Sequence, residues 1–226
     1  MSSFAFMKFL ESSPERYDRG ILWLSGGHIA AYYEAVAEEA GTAPGARVLD
    51  VGCGTGGAAL ACARRGACVT AIDVDAGMLG VARAKRVERG GSVEWLELGV
   101  AEVADRFPPA SFDAVVSCLA FSELSPEEVT YALGLARTRL VPRGRLVVAD
   151  EVEPPTGVGR AWHRLSRTPL AAVTWLLTQA STRPVPHLSA SLREAGFEDV
   201  REVRPFTSSF AIVSGTAPGA ASAPPS

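Results

Sequence analysis

From Arg47 onward, short apolar runs alternate with longer stretches whose apolar residues recur at helical spacing. Arg47–Val51 reads as a buried strand, and Gly57–Arg65 as a helix of small residues. Cys68–Asp73 reads as the next strand. Ala76–Glu88 reads as a helix with Met78, Leu79, Ala82 and Val87 on its apolar side, stopped by Gly90-Gly91. Val93–Leu98 and Phe112–Cys118 follow as strands. Over Pro126–Leu140 a helix is expected: Ser125 can cap it, Glu128 stands three residues on, and Pro126 suits a first turn. Pro142-Arg143-Gly144 reads as a turn before a fifth strand, Arg145–Asp150. This alternation predicts a parallel sheet covered on both faces, with right-handed crossovers limiting the topology. After a helix at Leu188–Ala195 the rhythm changes. Phe197–Val203 and Ser209–Ser214 are separated only by Arg204–Ser208, a connection that joins antiparallel strands. The expected fold is therefore α/β: a seven-stranded, mostly parallel sheet ending in an antiparallel hairpin, with a small helical cap.

Two segments stand outside this repeat. Residues 1–40 contain a helical pattern at His28–Ala40, and residues 151–187 separate the fifth strand from the last helix. Both are expected over the C-terminal edge of the sheet, where open α/β folds bind ligands. The tail 216–226 has nothing to bury and is expected to be disordered.

Composition narrows the function more than the fold. With 226 residues, 47% of them hydrophobic, the chain can bury one sizeable core. A net charge of −3 argues against a nucleic-acid binder, which needs a concentrated positive field. Cys53, Cys62, Cys68 and Cys118 form no C-x-x-C, and His28, His163 and His187 lie far apart, which argues against a zinc site. Their scatter through apolar segments suggests reduced, buried thiols in a cytoplasmic protein. The apolar stretch Pro169–Leu177 is too short to span a bilayer, and no signal peptide is read at the N-terminus.

The most informative segment is Asp50-Val51-Gly52-Cys53-Gly54-Thr55-Gly56-Gly57, a strand running into a glycine turn and then a helix. Glycines there admit positive φ and bring backbone N–H groups close to a ligand. Asp73 ends the next strand, 21 residues after Gly52, where a carboxylate can accept both hydroxyls of a ribose. Gly52, Gly54 and Gly57 also satisfy the dinucleotide pattern G-x-G-x-x-G. Three features oppose that reading. Asp50 would repel a pyrophosphate but suits a cation, no Tyr is followed by Lys four residues later, and a terminal hairpin is foreign to the usual dinucleotide sheet.

These residues resemble the class I S-adenosylmethionine-dependent methyltransferases, whose sheet is Rossmann-like. Asp50–Gly56 resembles the family's first motif, Asp73 its ribose-binding acid, Gly99-Val100-Ala101-Glu102 its adenine loop, and Ser111–Cys118 its fourth strand. The family often has Asp where this chain has Val100, so adenine recognition would rest on backbone groups and apolar stacking. The resemblance implies S-adenosylmethionine as cofactor. Asp50, Gly52, Cys53, Gly54 and Gly56 would hold the amino-acid end and Asp73 the ribose. Val74, Val100 and Ala101 would flank the adenine, and Met78 would belong to the cofactor site as well. Tyr17, beside Asp18, would belong to a capping segment or to plain packing, and Cys118 would face the methionine portion or simply pack. Cys53 reads as a small packing residue of the loop. The domain so implied covers residues 1–215, with 1–40 as an N-terminal cap and 151–187 as a lid insertion.

A narrower resemblance, to the corrinoid protein-associated methyltransferases, rests on short stretches: residues 11–21, 99–102, 119–124, Ala149-Asp150-Glu151-Val152 and 176–179. It implies a corrinoid or corrinoid-bearing protein as methyl acceptor and partner. The other acceptor class is a small oxygen or carbon nucleophile of natural-product or quinone type. A non-catalytic cofactor-binding regulatory module is the third reading. Ser117-Cys118-Leu119-Ala120 stands where amino-methylating enzymes carry Asn-Pro-Pro-Tyr, which argues against an adenine or glutamine acceptor. His28, Glu123 and His163 are the candidate general bases. Arg160, Arg164 and Arg167 share one helical face in the expected lid, beside Trp162 and Trp175. That face is either solvated or a docking surface for an acidic or phosphate-bearing partner.

Overall fold

The computed structural model describes residues 17–19, 21–22, 25–87, 90–152, 184–205 and 210–219. In chain order the elements are α1 (Ile29–Glu39), β1 (Arg47–Val51), α2 (Gly57–Arg64), β2 (Cys68–Asp73), α3 (Ala76–Ala84), β3 (Ser92–Glu97), a 3-10 turn at Val100–Glu102, α4 (Val103–Arg106), β4 (Phe112–Cys118), a second 3-10 turn at Phe121–Glu123, α5 (Pro126–Arg139), β5 (Leu140–Glu151), α6 (Leu188–Glu194), β6 (Glu198–Val203) and β7 (Phe210–Thr216).

The strands form one seven-stranded sheet in the order β3-β2-β1-β4-β5-β7-β6. The first five run parallel, and β7 enters antiparallel between β5 and β6. The expected mixed sheet with a closing hairpin is thus observed. The central strands read as near-continuous apolar runs because both faces are covered. One face buries Val48, Val69, Ala71, Ala114, Val116 and Val147 under α1 and α2. The other buries Leu49, Ile72, Val115, Leu146 and Val148 under α5 and α6. Ser125 accepts the N–H of Glu128 at 3.2 Å while the Glu128 carboxylate accepts that of Ser125 at 2.8 Å, so the capping box of α5 forms as its spacing predicts.

Several expectations change. Helix α3 stops at Ala84, short of Glu88, because Lys85 turns extended and donates to the Thr55 carbonyl at 2.8 Å. Pro142-Arg143-Gly144 does not precede β5 but lies within it. Pairing with β4 steps from Phe112↔Leu140 to Ala114↔Arg145, so the extra residues bulge out, and the Arg143 guanidinium meets Glu198 at 2.9 Å and Asp199 at 3.1 Å. Cys68 is exposed, since it opens β2 at the rim of the sheet, while Cys53 and Cys62 are buried. Finally, α1 lies across a sheet face and not only over its edge. Its last residue, Glu39, accepts from Ser214 at 2.7 Å and from Arg145 at 3.5 Å, and the Tyr32 ring meets Phe210 near the C-terminal end of β5. The helix therefore runs antiparallel to β5, and its first turn reaches the edge where the parallel strands end. Of the expected lid 151–187, Glu151 ends β5 and Val152 bridges to Val185, while 153–183 lie outside the described residues. The expected tail 216–226 begins too early, since Thr216 ends β7 and buried Ala217 donates to the Gly144 carbonyl at 2.8 Å; 220–226 lie outside the described residues.

Gly56 shows how tightly the glycine turn is seated. Its φ is +84°, and a methyl on its Cα would stand 2.4 Å from Trp95 of β3. Left-handed strain and overlap with a stiff ring together predict that Gly56→Ala lowers unfolding free energy by about 2–4 kcal/mol. Denaturant titration checks this; an unshifted midpoint contradicts it.

Candidate active site

Parallel strands end at one edge, and a cleft opens where the strand order changes direction, here between β1 and β4. A cavity of about 360 Å³ occupies that place. Its walls are the tips of β1, β2 and β4 with the loops that follow them, closed by Tyr17 and by Tyr33 of α1.

Asp50 is the unusual residue. It sits in the apolar strand β1, completely buried, and lines the cavity. Neither carboxylate oxygen has a hydrogen-bond partner; the Ala59 N–H bears on the group without completing a bond. Burial, helped by the negative charge of Asp73 and opposed by the Ala59 amide, pushes its pKa up to about 7. An unpartnered buried carboxylate facing a cavity fits a bound cation, whose charge would draw it back to the ionised form.

The second carboxylate, Asp73 at the tip of β2, braces the turn. Its two oxygens accept the N–H groups of Gly54, at 2.7 Å, and Asp75, at 2.9 Å. Each keeps lone-pair capacity for a further donor, as a ribose hydroxyl pair would supply. Gly52 has φ +67°, and a Cβ there would stand 2.5 Å from Ala120, so the turn also presses on the loop after β4. The N–H groups of Cys53, Gly54 and Gly56 are already committed, to Ile72 O, Asp73 and Cys53 O. A turn with these amides engaged and a carboxylate on either side is unsuited to a pyrophosphate. It suits a cationic nucleoside.

The comparisons with known proteins agree. Residues 48–144 match the family model described as "Methyltransferase domain". The chain is 35% identical over 147 residues to the demethylmenaquinone methyltransferase of Tropheryma whipplei, covering 65% of this chain and 59% of that protein. It is 41% identical over 92 residues to the ubiquinone biosynthesis O-methyltransferase of Pseudomonas aeruginosa, covering 41% and 38%. Among solved structures it resembles the S-adenosylmethionine-dependent methyltransferase SibL, with a TM-score of 0.66 and 26% identity over 90% of this chain and 57% of that one. The chain thus spans about three-fifths of the first of these curated relatives. S-adenosylmethionine is the cofactor in the name of the SibL structure, and the orphaned Asp50 carboxylate and the braced glycine turn fit such a cationic nucleoside.

The cavity gathers most of the residues the sequence singles out. Tyr17, Asp50, Gly52, Cys53, Gly54, Asp73, Val74, Met78, Val100, Cys118 and Glu123 all line the cavity. Val74 is 73% exposed, so it can flank a flat ring and is not committed to the core. Gly56 supports the turn from behind and does not line it. Ala101 points outward, its carbonyl meeting the Tyr131 hydroxyl at 3.4 Å. His28 is exposed at the N-cap of α1 and does not line the cavity. His163 lies outside the described residues. The Cys53 and Cys118 thiols are both driven up in pKa by burial and by neighbouring carboxylates, so both stay protonated. Among the described residues no cluster of His, Cys, Asp and Glu could hold a metal ion, and no helix is long and apolar enough to cross a membrane.

Tyr33 is missing from the sequence reading. Its ring fills the space a side chain at Gly57 would need, 2.2 Å from that Cβ position, and its hydroxyl is held protonated by burial and by Cys118, Tyr17, Asp18 and Asp50. The adjacent aromatics Tyr32 and Tyr33 were the available signal. On a helix they point about 100° apart, one to the sheet and one to the glycine turn. Asp18 adds a latch: it bonds Thr55 Oγ1 and the Lys85 ammonium, each at 2.5 Å, and so fastens Tyr17 over the turn.

The elevated pKa of Asp50 sets opposing demands. A folded-state pKa above the unfolded value contributes stability that is full in acid and lost as pH rises through about 7. Asp50→Asn should therefore raise the melting temperature of the ligand-free protein by clearly more at pH 8 than at pH 5. It should also weaken S-adenosylmethionine binding by about tenfold or more. Thermal scans at the two pH values and calorimetry check this; equal shifts at both pH values, or unchanged affinity, contradict it.

Proposed function

We propose that this protein transfers the methyl group of S-adenosylmethionine to an oxygen or carbon atom of a small, largely apolar molecule of quinone or natural-product type. The observation that carries the reading is the pair of strand-tip carboxylates around a glycine turn whose amides are already engaged. The curated relatives, named for quinone and ubiquinone methylation, support the acceptor class. So does the acceptor side of the cavity, where Leu119, Phe121 and Leu124 line the wall.

The sulfonium of the cofactor supplies an electrophilic methyl whose departure leaves a neutral thioether. The protein's task is placement in a water-poor pocket. Asp50 holds the ammonium, Asp73 holds the ribose hydroxyls, and Val74, Met78 and Val100 enclose the adenine. Tyr17 and Tyr33 close the pocket against water. A hydroxyl acceptor must also lose a proton, and Glu123, on the cavity wall in the turn after β4, is the group proposed to take it. His163 is the second candidate. A corrinoid acceptor draws no support from the relatives' names and is kept as an arm of the test.

Incubation with methyl-labelled cofactor, a panel of hydroxylated quinols and phenols, and reduced cobalamin separates the readings. Label on an oxygen or carbon of a small aromatic supports the proposal. Label on cobalt, or cofactor binding without turnover on any acceptor, overturns it. With a hydroxyl acceptor, Glu123→Gln should lower kcat by about a hundredfold and leave cofactor affinity unchanged; undiminished kcat removes Glu123 from the role.

A further inference from the structure

Asp150 has no part in the chemistry just described and does not line the cavity. It stands near the tip of β5, 0% exposed, at the end of the apolar run Leu146–Ala149. A buried carboxylate is costly unless backbone donors surround it. Here they do. Oδ1 accepts the N–H of Glu151 at 2.7 Å, and Oδ2 accepts that of Ser122 at 3.0 Å. Burial raises its pKa to about 6, and the Ser122 hydroxyl with the Glu151, Ser122 and Phe121 amides pulls against the rise.

Ser122 is the middle residue of the 3-10 turn whose two ends, Phe121 and Glu123, line the cavity. The loop carrying it is not at ease. Leu119 is held at φ +63°, a conformation unfavourable for a branched side chain, and Ala120 is pressed against Gly52. Two bonds from neighbouring residues of β5 hold it there: the Leu119 N–H donates to the Ala149 carbonyl at 2.8 Å, and the Ser122 N–H donates to Asp150. The loop is thus clamped by β5 from behind, while its other side forms the cavity wall.

We propose that Asp150 is a positioning residue for the methyl acceptor: through the Ser122 amide it fixes loop 119–124 as the acceptor-side wall of the cavity. The word acceptor rests on the function proposed above; the clamp does not. A carboxylate accepts from both amides at once, whereas an asparagine must turn an NH₂ group toward one of them.

Asp150→Asn therefore tests it, with hydrogen exchange of loop 119–124, S-adenosylmethionine calorimetry and acceptor kinetics as readouts. In the unaltered protein the Ser122 amide should exchange far more slowly than an open-loop amide. In the variant, exchange across the loop should quicken by about tenfold. KM for the acceptor should rise by about tenfold while the cofactor Kd stays within about threefold. A Ser122 amide that exchanges freely in the unaltered protein overturns the proposal even if the variant fails to fold. So does unchanged loop exchange in the variant, or a loss of cofactor affinity as large as the loss for acceptor. If no acceptor is turned over, the proposed function fails, and the exchange measurements still decide the clamp.

Discussion

The structure turns on one electrostatic constraint: a carboxylate, Asp50, buried at the end of β1 with nothing to neutralise it. A charge so placed is unfavourable to the ligand-free fold, and a sheet strand offers many apolar side chains that would fill the position better. Its presence becomes intelligible once the neighbouring geometry is included. Asp73 ties down the glycine turn from the next strand, Tyr17 and Tyr33 close the space above, and the loop after β4 presses against Gly52. All of these place a cavity directly beside the unsatisfied charge. A cation entering that cavity replaces the hydration that Asp50 lost on folding.

What was legible in the sequence follows from how locally each feature is determined. The strand runs, the capping box of α5 and the glycine turn with its downstream acid are written in contiguous residues. They appear in the fold where their spacing predicts. The same holds for the closing hairpin, since the short connection at 204–208 permits little else, although its reversed seating, with β7 inside and β6 outside, depends on packing against β5.

Features decided by distant partners were not legible. Helix α3 ends early because Lys85 reaches back across 30 positions to Thr55 and also pairs with Asp18. A Pro-Arg-Gly triplet that reads as a turn becomes a bulge, because β5 continues to pair on both sides of it and β6 offers carboxylates to its arginine. Tyr33 enters the site only because the helix carrying it crosses the sheet face beside Gly57. Asp150 reads as an ordinary strand end until the Ser122 amide is seen against it. His28, chosen for its chemistry and not its placement, does not line the cavity, although Tyr33 on the helix it caps does.

A crystal structure with S-adenosylhomocysteine or S-adenosylmethionine bound is the most direct test. The ribose hydroxyls should lie within hydrogen-bonding distance of the Asp73 carboxylate, with the amino group directed at Asp50 beside the glycine turn. A nucleoside bound elsewhere on the protein, or density for a dinucleotide with its pyrophosphate on that turn, would contradict the central claim.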